Sequence, residues 1–288
     1  MRSLLRSWLV VVLAPFLLMT ARADQEPMVL KVLGRSDVKD YQVQLNEQEW
    51  RLLRQKGSLV LGTSAPDFPP LGISVSGRDY EGLTADYAQL IAQLLHTPVV
   101  VHRYPSRTEA LTALKEGRVD MVGGANGYEA QDAALLMSSA YADDQPVLVT
   151  REGEAPVLSD DLAGMKVAML DNYLPPKAVE DYYPKADIRL YTSALSALGA
   201  VAFGQADVYL GDAITSNYLI SKNYLNNVQL ADFSRMEVQP FAFAFAPHNA
   251  ALVQVVDKAL AAIPTNERMA ILRRWGAGGT SVLGKQKL

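Results

Sequence analysis

The chain has 288 residues, 49% of them hydrophobic, with no cysteine and a formal net charge of −4. The missing cysteine excludes disulfides and thiolate metal sites, and the acidic balance argues against a nucleic-acid partner, whose phosphates need a basic face. A chain this long and this apolar can bury one large or two medium cores by ordinary packing.

Residues 1–23 read as a cleavable export signal. Arg2 and Arg6 precede an apolar run from Trp8 to Met19, and Ala21-Arg22-Ala23 has the small-x-small form of a processing site. The run falls short of the roughly 20 apolar residues that cross a bilayer. Cleavage after Ala23 removes three positive charges, Arg2, Arg6 and Arg22, and takes the net charge from −4 to −7. The mature chain is therefore expected to be soluble in an extracytoplasmic space.

Residues 24–56 form an N-terminal lead, without stable period to about Asp40, and then a short helix. In that helix Asn46 is the cap and Trp50, Leu52 and Leu53 follow at helical spacing. Ser58 to Gly62 predicts a buried strand, ended by Ala65-Pro66-Asp67-Phe68-Pro69-Pro70, because proline removes ladder donors. That loop leaves the carboxyl end of the strand, where ligands sit in open α/β sheets. Asp67 and Phe68 are its candidate ligand contacts.

From Gly82, the spacing of Leu83, Tyr87, Leu90, Ile91, Leu94 and Leu95 predicts an amphipathic helix. Val99 to His102 reads as a strand, Ser106 caps a helix that Gly117 ends, and Val119 to Val122 reads as a third strand. Gly123-Gly124-Ala125-Asn126 leaves that strand with small residues, as a backbone approaching a ligand requires. Asn126 and Tyr128 join the candidate site.

A second unit follows Pro146-Val147-Leu148-Val149. Its predicted strands are Lys166 to Leu170, Ile188 to Tyr191 and Ala206 to Leu210, with helices opened by Asp171-Asn172-Tyr173-Leu174-Pro175-Pro176 and spanning Ser193 to Phe203. Asn172 and Tyr173 are expected at a helix N-terminus, where free backbone donors attract anions, although Asn172 reads equally as a simple cap. Asp212 reads either as a ligand contact or as the cap of the helix beginning at Ala213. The alternation of Phe241-Ala242-Phe243-Ala244-Phe245-Ala246 is a strand signature that closes this unit, and Asn249 to Trp275 is mostly helical.

The fold class is α/β. The expectation is a two-lobed, hinge-closing clamshell, each lobe a mostly parallel sheet flanked by helices. Lobe 1 is expected over residues 57–146 and 247–276, lobe 2 over 147–246, and a C-terminal tail over 277–288.

Several stretches carry a family resemblance: Tyr80-Glu81-Gly82-Leu83-Thr84-Ala85-Asp86-Tyr87, Leu114-x-x-Gly117-Arg118-Val119-Asp120, Met137-Ser138-Ser139-Ala140-Tyr141 and Ala206-Asp207-x-x-x-Gly211-Asp212. Jointly they resemble the type 2 periplasmic solute-binding proteins of the amino-acid-binding class, solute-binding protein family 3. The lead helix with Glu49-Trp50, Asn172-Tyr173-x-Pro175, Tyr183-Pro184-Lys185-Ala186 and Arg273-Arg274-Trp275-Gly276 resemble, more narrowly, the periplasmic Venus-flytrap domains of BvgS/EvgS-type hybrid sensor kinases. The resemblance implies a periplasmic type II binding-protein fold that closes on a small polar molecule and perceives a signal for a sensor histidine kinase. The alternative it implies is a substrate-binding protein delivering an amino acid or related solute to an ABC permease.

Family members grip an α-carboxylate with a Thr and an Arg three residues later. Tyr128 and Gln131 stand at those positions here, so a standard α-amino acid is a poor fit, because a neutral amide replaces a charged planar fork. Asp212 matches the family position that pairs with an amino group. No cofactor and no metal are expected. The three histidines, His96, His102 and His248, have no metal-ligand spacing, and neither a Gly-x-Ser-x-Gly elbow nor a complete Gly-x-x-x-x-Gly-Lys-Ser/Thr loop is present. A remote alternative is a dehydratase on the same fold, with Glu129 or Asp212 as general acid.

Overall fold

The structure is a computed structural model and describes residues 26–153, 157–223 and 225–276. The expected export signal and C-terminal tail lie outside these residues.

Two mixed sheets form the two lobes. The chain opens on β1 (Met28–Val32), followed by α1 (Glu47–Lys56), β2 (Leu59–Ser64), the short strands β3 (Ile73–Val75) and β4 (Asp79–Glu81), and α2 (Leu83–Leu94). Next come β5 (Val99–Tyr104), α3 (Arg107–Lys115), β6 (Met121–Asn126), α4 (Gly127–Asp132), β7 (Leu136–Met137) and β8 (Ala142–Asp144). The second sheet is built from β9 (Pro146–Arg151), β10 (Lys166–Leu170), α5 (Pro176–Tyr182), β11 (Asp187–Tyr191), α6 (Ala194–Ala202), β12 (Val208–Asp212), α7 (Ala213–Lys222) and β13 (Val228–Phe233). The chain then returns through β14 (Gln239–Phe245) to α8 (Ala250–Ala262) and α9 (Thr265–Arg274).

Sheet order is β3-β4-β1-β5-β2-β6-β14-β7, with β8 beside β14, in the first lobe, and β11-β10-β12-β9-β13 in the second. Each centre is parallel, β5-β2-β6 and β11-β10-β12, as strand–helix alternation predicts. The crossing strands β9 and β14 pair antiparallel with their neighbours, so each sheet is mixed rather than mostly parallel. Strand period sets the packing of the second lobe. Val167 and Met169 face α5 with Val179 and Tyr183, while Ala168, Tyr209 and Val149 face α6 with Ala197 and Val201.

Three sequence expectations change. The lead to Asp40 is not featureless, since β1 pairs Met28 with Arg103 and Val29 with His102. Its partners lie some seventy residues away, and local pattern carries no trace of them. Beyond β1 the lead runs along α2, where Gln89 and Gln93 side chains accept from Gly34 N and Val38 N at 2.9 and 2.7 Å. The second change is the lobe boundary. β14 hydrogen-bonds to β6, β7 and β8 and therefore belongs to the first sheet, not to the end of lobe 2. Its alternation of Phe and Ala is not one of inside and outside, because Phe241 to Ala246 are all fully buried, with helices covering both faces. Third, Asn172 and Tyr173 do not sit at a helix N-terminus: α5 starts at Pro176 with Pro175 as its cap. The closing helices behave as expected, with α8 and α9 packing on α2 of the first lobe.

The lobes are joined by two short crossings, Asp144-Gln145-Pro146 between β8 and β9 and residues 234–238 between β13 and β14. No helix among the described residues is long and apolar enough to cross a membrane.

Candidate functional site

Carboxyl ends of β2 and β6 open toward the second lobe and leave a cavity of about 220 Å³ lined from both sides. The first lobe supplies Asp67, Phe68, Arg107, Asn126 and Glu129, and the second supplies Asp171, Asn172 and Tyr173.

Five of the eight residues expected from sequence meet here: Asp67, Phe68, Asn126, Asn172 and Tyr173. Asp67 also shapes its own loop, accepting from Ser74 N and Arg103 Nη2, both at 3.0 Å. Phe68 forms an aromatic floor, its ring 6.2 Å from Phe241 and 6.5 Å from Tyr173. The glycines within β6 serve a close approach, though of protein rather than ligand. A Cβ on Gly123 would stand 2.4 Å from the Thr84 methyl, and Gly124 takes φ +63° while its N–H donates to Tyr141 Oη at 2.7 Å.

Asn126 and Tyr173 join the lobes. Asn126 caps α4, accepting from Glu129 N at 2.9 Å, and its Nδ2 donates across the cleft to the Tyr173 carbonyl at 2.8 Å. Tyr173 is 3% exposed, and its hydroxyl donates to Asp144 Oδ1 at 2.6 Å, beside the first crossing. Asn172, just before it, holds a left-handed φ of +62°, which asparagine tolerates better than other non-glycine residues. Behind this latch, burial pushes the Asp144 carboxyl well up, and the neighbouring Asp212 carboxylate adds to the effect. Burial likewise pushes Asp212 up to about 6, against a 2.7 Å hydrogen bond from Thr215 N.

Three expected residues stand outside the cavity. Asp212 is 1% exposed and caps α7, the capping alternative, and does not line the cavity. Tyr128 lies near the second crossing, where its hydroxyl accepts from Glu237 N at 3.2 Å. Gln131, on α4, is exposed.

Arg107 is the residue that sequence inspection missed. Its Nε and Nη2 donate to the two Glu129 carboxylate oxygens at 2.8 and 2.6 Å, and its Nη1 donates to Gly123 O at 2.9 Å. One signal could have marked it. A cation at the first position of a helix opposes the helix dipole, so such an arginine needs another reason to be there. Glu129 is thus the carboxylate partner of a guanidinium. Among the described residues, no cluster of His, Asp and Glu has metal-holding geometry.

A family model described as bacterial extracellular solute-binding proteins, family 3, matches residues 59–278. The chain is 39% identical over 273 residues to the virulence sensor protein BvgS of Bordetella parapertussis, which covers 95% of this chain and 21% of that protein. It is 24% identical over 250 residues to the sensor protein EvgS of Escherichia coli O157:H7, covering 84% of this chain and 20% of that protein. In three dimensions it is similar to the crystal structure of the B. pertussis BvgS periplasmic domain. The TM-score is 0.77 at 39% identity, over 87% of this chain and 49% of that one. The chain thus spans about a fifth of the length of the curated relatives it matches.

Proposed function

We propose a sensory role for this chain, which belongs to the bacterial extracellular solute-binding proteins of family 3 and whose two lobes meet over a cavity with apolar walls and a few charged groups. It works in the periplasm as the ligand-perceiving flytrap of a sensor-kinase system of the BvgS and EvgS kind, and its partner is a histidine kinase at the inner membrane. Similarity to BvgS at 39% identity over 95% of the chain supports the sensory assignment.

The observation that carries the mechanism is the lobe-to-lobe contact at the cavity wall, Asn126 Nδ2 to the Tyr173 carbonyl. Residues that line the solute site also hold the lobes together, so a solute placed there changes the balance between open and closed states. It does so only through its different affinity for the two. Binding rather than catalysis fits the charges present, since Arg107 and Glu129 neutralise each other and Asp67 is paired with Arg103.

The test separates sensing from delivery. A solute that raises the melting temperature of the purified protein is supplied to cells with and without the gene. Sensing predicts that gene loss changes the transcriptional response to that solute and leaves its uptake intact. A fall in labelled-solute uptake with an unchanged transcriptional response would assign the chain to transport.

A further inference from the structure

We propose that Arg107 is the anion anchor of the cavity and that the site takes a small carboxylate with an apolar body. This deepens the solute-site reading above and rests on it.

Arg107 is held inside the cavity wall, its side chain 17% exposed and that of Glu129 12% exposed. A guanidinium carries five N–H donors in a planar fork. Glu129 takes the Nε–Nη2 edge and Gly123 O takes one donor of Nη1. Two donors, one on each terminal nitrogen, therefore have no partner among the described residues. The Glu129 and Gly123 contacts fix the plane of the fork, so a ligand carboxylate meets a pre-oriented group, and charge-assisted bonds of this kind are roughly twice as strong as neutral ones.

The rest of the lining decides what else the ligand carries. An ammonium needs an unpaired buried carboxylate, and the carboxylates inside the cavity are already engaged: Glu129 with Arg107, and Asp67 with Arg103 and Ser74 N. Asp212 is buried outside the cavity as a helix cap. Asp171 is exposed at the lip, where water competes for it. The remaining wall includes Phe68, Leu71, Leu170 and Tyr173, which suit an apolar body. Carboxylate recognition here comes from α3, while α4 carries the neutral Gln131 on the outside.

Glu129 also sets the strength of the site. An incoming anion meets an ion pair of zero net charge, so removing the Glu129 charge leaves a cation to receive it.

The experiment is calorimetric titration of the purified protein with butyrate and benzoate, beside their uncharged and cationic counterparts butyramide, benzamide, butylamine and benzylamine. The carboxylates are expected to bind at least tenfold more tightly than their counterparts. Glu129→Gln should tighten carboxylate binding by about tenfold. The double variant Arg107→Gln/Glu129→Gln, which keeps a neutral hydrogen-bonding pair so that no buried charge is stranded, should weaken it at least tenfold with an unchanged circular dichroism spectrum. Carboxylate binding that survives in the double variant would overturn the proposal. So would amides or amines that bind as tightly as the acids, although binding of either to the cavity would leave the flytrap reading standing. Binding by none of the six compounds would also overturn the carboxylate assignment, while lobe motion is read separately, by the distance between spin labels on α3 and α5.

Discussion

Tyr173 concentrates more of the molecule's behaviour than any other side chain at the site. Its ring packs on Phe68, its carbonyl is held by Asn126 and its hydroxyl by Asp144. Tyr173→Phe keeps the ring and strands Asp144, whose Oδ2 already has no partner among the described residues. The expected loss is about 1–3 kcal/mol at neutral pH, read by urea denaturation. The carboxyl pair behind it gives a pH prediction. Asp212 rises from 3.8 to about 6 in the fold, so the folded chain holds this proton more tightly than the unfolded one. Its favourable contribution is full below pH 3.8 and is lost as pH rises through 6, an amount on the order of 3 kcal/mol. Asparagine caps a helix as well as aspartate does. The melting temperature of Asp212→Asn relative to the parent should therefore climb between pH 4 and pH 7. A difference that is flat with pH would show that the carboxyl titrates normally.

At the level of elements, local rules decided what sequence could reveal. α1 begins where Asn46 stands, with the reciprocal bond from Asn46 N to Glu49 completing a capping box, and Asn46→Ala should cost about 1 kcal/mol. Ser106 and Ser193 cap α3 and α6 as their sequence positions indicate. The apolar period of α2 gives its buried face, Leu83, Tyr87, Leu90, Ile91 and Leu94. What stayed hidden depends on residues far apart in the chain. β1 exists because β4 and β5 flank it, and β14 changes lobe because its partners are β6, β7 and β8. The site divides the same way. Phe68, Asn126 and Tyr173, expected because loops at strand ends are where ligands sit, line the cavity. Arg107 was hidden because its unfavourable place at the start of α3 does not name the distant group it serves, here Glu129 on another helix. Long-range contacts of this kind also tie down the carboxyl end of α9. Asp86, fully buried on α2, accepts from Arg274 Nη1, from Trp275 Nε1 at 2.8 Å and from Arg35 N at 2.6 Å. Asp86→Ala removes the carboxylate from Arg274, which keeps Ser36 Oγ and some access to water, and should cost about 1–3 kcal/mol, seen as early exchange of α9 amides.

The whole molecule is two sheets joined by two short crossings, with the cavity, the latch and the buried carboxyl pair all at that junction. Lobe position should therefore answer to cavity contents. The chain has no cysteine, so spin labels at Lys115→Cys on α3 and Lys177→Cys on α5, both exposed, report one lobe-to-lobe distance without background. Asn126→Ala, which cuts the bond to the Tyr173 carbonyl, should lengthen and broaden that distance. The deciding measurement is the same distance distribution, by pulsed electron resonance, with and without any solute that raises the melting temperature. A shift of the distribution on solute addition is the predicted result. An identical distribution, in the parent and in Asn126→Ala alike, would contradict a flytrap that signals by closing.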